Sequence, residues 1–171
     1  MIEPFDYKSI EIVKSVIIAD ETDKTLMDVI RELDKIVERK TEYTEYEETL
    51  YTLASNCEDR FRKWLSDKGM DTENARGFAS CISIYVRYIY GHKNDNLKNI
   101  SIAYIDDFLT NHLLKTLIVE NPNEYVYYPP SLKLFYWFLY EKEYFVELSR
   151  IMNIIGKVEP YFMKVLRKEF T

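Results

Sequence analysis

Glycine and proline are scarce in this chain, at 4 and 5 in 171 residues. Hairpins and tight turns depend on them, so their scarcity argues against a β-rich or loop-rich fold. Histidine is rarer still. Neither His92 nor His112 has an acidic residue three positions before it, so the Glu-x-x-His arrangement of di-iron bundles is missing. No Cys-x-x-Cys or His-x-x-x-His spacing offers a structural zinc site. Glycine-rich phosphate loops and Gly-x-Ser-x-Gly elbows are also missing. Asp106 and Asp107 are adjacent on a helical pattern, so their carboxylates diverge by about 100° instead of converging on a substrate. No cofactor or metal is expected, and the chain does not read as an enzyme.

The apolar runs are far shorter than the ~20 residues that cross a bilayer, and no basic-then-apolar leader opens the sequence. Cys57 and Cys81 each sit in a helical pattern and read as reduced, buried thiols. A cytoplasmic address with no membrane partner is the expectation. The formal net charge is −6, which weakens any nucleic-acid reading because phosphate neutralisation supplies most non-specific affinity. The charge is uneven. Residues 1–57 carry 7 basic and 14 acidic side chains, residues 58–99 carry 8 and 6, and residues 100–171 carry 8 and 9. A local basic face can therefore act in the middle of an acidic chain.

Abundant aromatics stand against these absences: 15 Tyr, 9 Phe and 2 Trp, enough to pack a core with large rings. Helical periodicity dominates. Residues 4–18 are ambiguous between helix and strand. Thr22 or Asp23 is positioned to cap a helix over about 23–40, whose stripe is Leu26, Val29, Ile30, Leu33, Ile36 and Val37. That stripe would suit a two-helix seam or a partner helix, with Leu26, Ile30, Leu33 and Val37 as the candidate seam if the partner is a second copy. A long helix over 44–68 follows, with Gly69 as its stop and a kink or break expected near Asn56. Glu45, Glu47 and Glu48 read as its solvated face. Asp71 or Thr72 caps the next helix, and residues 91–96 read as a polar loop. Ser101 caps another helix, ended by Asn121-Pro122-Asn123, and Pro129-Pro130 opens one more. The last pair is expected over 144–155 and 158–168, split at Gly156 with Pro160 in the second helix's first turn. No internal repeat is found.

Three blocks stand at a notable spacing: Phe61-x-x-Trp64-Leu65 with Gly69, Ile100-Ser101 with Ile105-x-x-Phe108-Leu109, and Leu132-Lys133-x-Phe135-Tyr136-x-Phe138-Leu139. Together with the Phe78, Ile82, Tyr85, Ile89 face, they resemble the N-terminal core-binding (SAM-like) domain of tyrosine recombinases, the phage-integrase family, over about residues 61–140. The resemblance implies a helical bundle that clamps duplex DNA, with Lys133 in an arginine position. It implies no recombination chemistry, because the His-x-x-Arg pair and its basic companions do not occur. Asp71-x-x-Asn74 stands where the family has Ser-x-x-Thr, and an acid there would repel phosphate. The DNA-contacting candidates would be Arg60, Arg62, Lys63, Lys68, Arg76, Arg87, Lys93 and Lys133. The interleaved Glu58, Asp59, Asp67 and Glu73 favour reading the same cations as paired, solubilising charges. Tyr125, Tyr127 and Tyr128 could form a recognition loop but read better as packing over a bundle end.

The expectation is thus a single all-α domain of six to eight helices, an acidic N-terminal segment (1–57) packed on a core (58–171). It would be a non-enzymatic helical protein acting through an unknown protein partner or as a homodimer. A DNA-binding accessory with a recombinase-like fold is the alternative.

Overall fold

The computed structural model describes residues 2–7, 21–39 and 42–170, with side chains from residue 25 onward in the first helix. The ambiguous segment 4–18 lies largely outside these residues, as do the side chains of Thr22 and Asp23. Among the described residues the fold is all-α, and no helix is long and apolar enough to cross a membrane. Two compact units make up the chain: Tyr7–Asn99, and Met1–Asp6 with Ile100–Thr171. The composition change after residue 57 falls inside a continuous helix rather than at the boundary between units.

The unit Tyr7–Asn99 is built from α1 (Glu21–Glu38), α2 (Tyr43–Asp67) and α3 (Thr72–Arg87), the last running into a π-helical turn, Tyr88–His92. The central helix α2 packs against both α1 and α3. Its core stripe of Tyr46, Leu50, Ala54, Cys57, Phe61, Trp64 and Leu65 is buried throughout. Burial along this stripe holds α2 helical for all 25 residues, and the break expected near Asn56 does not occur. At the C-terminus, Gly69 takes φ 103°. Gly69 N–H donates to Ser66 O and Met70 N–H to Leu65 O, the paired bonds of a Schellman stop. Asp71 then accepts from Asn74 N–H at 3.1 Å and caps α3. The π turn replaces the first part of the polar loop expected at 91–96. It is held from two sides: Tyr46 Oη donates to Tyr90 O at 3.0 Å, and Tyr90 Oη donates to the Asp34 carboxylate.

The second unit contains α4 (Ile102–Asp107), a π turn (Phe108–His112), α5 (Leu113–Thr116), a 3-10 turn (Pro122–Tyr127), α6 (Tyr128–Glu141) and α7 (Leu148–Glu169). Ser101 caps α4 by accepting from Tyr104 N–H, and Pro129 and Pro130 sit in the first turn of α6. The N-terminal strand of chain is tied here: Glu3 N–H donates to Asn123 Oδ1 at 3.0 Å, and the Phe5 ring meets Tyr127 edge-on. Tyr125 and Tyr128 are buried, with Tyr125 Oη donating to Leu117 O at 2.6 Å, so these tyrosines pack.

The helix capped by Ser101 ends at Thr116, with Leu117 already extended, short of the expected end at Asn121. A second expectation for this unit is also overturned. Residues 148–169 form a single helix passing through Gly156 and Pro160. The proline ring crowds the carbonyl four residues earlier and leaves it without a donor, and here that carbonyl belongs to Gly156. Both residues are exposed, so water reaches the freed oxygen. The buried stripe Ile151, Ile155, Val158, Phe162 and Leu166 carries the helix across.

Candidate functional site

The stripe considered as a seam between copies is consumed inside its own unit. Leu26, Ile30 and Leu33 are fully buried and Val37 half-buried, because α2 and the π turn lie over α1. Of the residues named for a seam, Leu26, Ile30 and Leu33 thus pack within their own chain.

The basic candidates separate into three groups. Lys68 is buried at the end of α2, its ammonium 5.7 Å from the Trp64 ring centre. Arg87 stacks over Tyr51 at 4.9 Å and Lys93 over Tyr88 at 5.5 Å, so these cations are engaged with aromatic faces. Arg87 Nε is buried without a hydrogen-bond acceptor among the described residues. Lys133 belongs to the other unit, where it pairs with Glu159 at 3.3 Å and ties α6 to α7.

The third group converges. Arg60, Arg62 and Lys63 line one groove of about 490 Å³ with Asn56, Asp59 and Ser66 of α2 and Thr25 of α1. A neighbouring groove of about 260 Å³ shares Asp59 and Arg62 and adds Glu58, Arg76 and Ser80. The local reason is helical geometry: residues three and four apart share a face, which puts Asn56, Asp59, Arg60 and Lys63 together beside α1.

The pairing expected from sequence is mostly absent. Arg62 reaches Asp59 at 3.6 Å, longer than a good hydrogen bond. Among the described residues Arg60, Lys63 and Arg76 make no ion pair with Glu58, Asp59, Asp67 or Glu73. Burial raises the Glu58 carboxyl above its ordinary value and the Asp59 charge adds to this, opposed by Arg62 and Arg87. Sequence reasoning missed that Thr25, Asn56 and Ser66 complete the groove. For Asn56 and Ser66, their helical register relative to Arg60 and Lys63 was the available signal; Thr25, on another helix, offered none.

Other chemistry is not assembled. His92 stacks on Tyr88 and His112 on Phe108, each four residues earlier. Cys57 and Cys81 are free and buried, and burial pushes the Cys57 thiol up to about 12. Among the described residues no group of three or more His, Cys, Asp or Glu could hold a metal ion. Phe61, Trp64, Leu65, Ile105, Phe108, Leu109, Leu132, Phe135, Phe138 and Leu139, which carry the recombinase-like pattern, are all core residues. They speak to helix packing. No family model, curated protein or solved structure matches the chain.

Proposed function

We propose that this is a non-enzymatic, cytoplasmic binding protein whose α2 groove receives an acidic segment of a partner protein. The observation that carries the reading is the convergence of Arg60, Arg62 and Lys63 on one open groove, with Arg60 and Lys63 unpaired among the described residues. Unpaired cations at a concave surface attract an anion without first surrendering an internal partner. The acidic half of α2 does not cancel them. Glu48 and Arg60 are twelve positions apart on one helix, about 18 Å at 1.5 Å per residue. That exceeds the Debye length of about 8 Å at physiological salt.

The scale of the groove favours a protein segment over a duplex. Proteins that hold DNA through its backbone commonly make about 6–10 phosphate contacts, whereas three cations line this groove. A duplex lying along α2 would also meet the exposed Glu42, Glu45, Glu47 and Glu48. Duplex DNA stands as the second reading, that of an accessory protein with a recombinase-like fold, favoured by Arg76 in the adjoining groove.

Fluorescence anisotropy separates the two. A labelled ten-residue polyglutamate peptide and a labelled 30-base-pair duplex are titrated with the protein at low and physiological salt. The first reading expects peptide binding that Lys63→Glu abolishes, with duplex binding no stronger. Duplex binding that weakens steeply with salt would replace it with the second, and binding of neither would remove both.

A further inference from the structure

The inference rests on the anionic-partner reading and sharpens it. We propose that the group received by the α2 groove is a phosphomonoester, carried on a phosphorylated segment of a partner protein. Charge supplies the first argument. Three cations against the single carboxylate of Asp59 leave an excess of two positive charges in the groove. A phosphoserine or phosphothreonine carries about −1.5 to −2 at pH 7, a carboxylate only −1.

Hydrogen-bonding capacity supplies the second. Arg60 offers a fork of donors and Lys63, one turn on, an ammonium, with the Arg62 fork lining the same groove. A carboxylate has two oxygens to meet them, and a phosphoryl group has three strong acceptors. Arg60 and Lys63 lie one turn apart on the same face, so both can close on one group. The long Arg62–Asp59 contact at 3.6 Å releases Arg62 at small cost.

Shape decides what bears the phosphate. Pockets for free small molecules enclose roughly 70–90% of the ligand, and this groove is open to solvent on one side. The second groove, with Arg76 and Ser80, continues from it through the shared Asp59 and Arg62. A chain carrying the phosphate can lie along both, its flanking residues making the remaining contacts. A nucleic acid presents one charge per phosphate along an extended backbone, which three clustered cations cannot follow.

The test uses the full chain and three labelled peptide pools, each with four randomised residues on both sides of a central phosphoserine, serine or glutamate. A labelled 30-base-pair duplex is titrated in parallel. The phosphoserine pool is expected to bind at least about tenfold tighter than the other two, as new charge-assisted hydrogen bonds would give. Lys63→Glu, at an exposed position, and Arg60→Glu are each expected to remove that advantage while helical circular dichroism is retained. Lowering the pH from 7 to 5 passes the second phosphate pKa near 6. It should weaken the phosphoserine pool selectively. Equal binding of the phosphoserine and glutamate pools would overturn the phosphate inference while leaving the acidic-segment reading standing. Failure of every pool would overturn both, and tighter binding of the duplex would assign the groove to nucleic acid instead.

Discussion

Alanine at Gly91 and alanine at Gly156 should move stability in opposite directions. Gly91 lies in the π turn after α3, and a Cβ built there falls 2.9 Å from Leu50 Cδ2 and 3.0 Å from Tyr43 Cε2. Carbon atoms prefer about 3.5–4.0 Å, so the neighbours must retreat by roughly half an ångström or more. Tyr43 is 38% exposed and can move, but Leu50 is fully buried and has nowhere to go. Overpacking of this kind costs about 1–3 kcal/mol. Alanine recovers at most about 1 kcal/mol of helical propensity over glycine. The balance is a loss of about 1 kcal/mol, or a fall of about 2–4 °C in Tm for a chain of this size. A Cβ at Gly156, exposed in α7, meets nothing within 4 Å, so only the propensity gain of about 1 kcal/mol is left. Urea melts of both variants, followed by helical circular dichroism, supply the comparison. A Gly91→Ala protein as stable as the parent would refute the close packing of the π turn against α2. A Gly156→Ala protein less stable than the parent would refute the continuous α7.

Three further outcomes follow from local geometry. Glu143 occupies φ 60° after α6, where Glu143 N–H and Tyr144 N–H make the same pair of stop bonds seen at Gly69. Because a side chain is strained there by about 1–2 kcal/mol, Glu143→Gly should raise the urea midpoint, and a lowered midpoint would show that the strain is absent. The Cys57 thiol, fully buried and pushed up to about 12, should resist a disulfide reagent at pH 8 until the chain unfolds. Labelling of the native protein at the rate of a free thiol would contradict its burial. Asp71 is held below its ordinary 3.8, first by the Asn74 backbone N–H. Its cap contribution is therefore complete above that range and lost on acidification through it. The Tm deficit of Asp71→Ala should accordingly be present at pH 7 and vanish in strong acid, and a deficit independent of pH would exclude the ionised cap.

Much of the fold was legible because it depends on short-range rules. The α1 stripe, the Asp71 and Ser101 caps, the Gly69 stop and the Pro129-Pro130 start each follow from a few neighbouring residues. Errors arose where tertiary burial outvoted local chemistry. Gly156 and Pro160 look like a break, yet the apolar positions from Ile151 to Leu166 keep one periodicity through them. The two π turns were invisible for a related reason: one extra residue per turn does not disturb an apolar pattern enough to be seen. The α1 stripe is legible as amphipathic, but periodicity reports that a face is covered and not by what, so the sequence leaves open whether a neighbouring helix or a second copy lies over it. Charges were the least legible feature. Sharing a groove does not make an ion pair: Asp59 lies beside Arg60 and Lys63, and Glu58 beside Arg76, yet among the described residues the ion pair within these grooves is Arg62–Asp59.

The most direct test of the groove is side-chain NMR of the arginines in the intact 20.6 kDa protein. Arginine Nε–H signals would be followed as the ten-residue polyglutamate peptide is added at physiological salt. The account predicts shifts at Arg60 and Arg62, with Arg31 and Arg150, exposed elsewhere and paired to their own helices' acids, left in place. Shifts of equal size at all four, or at Arg31 and Arg150 alone, would contradict it.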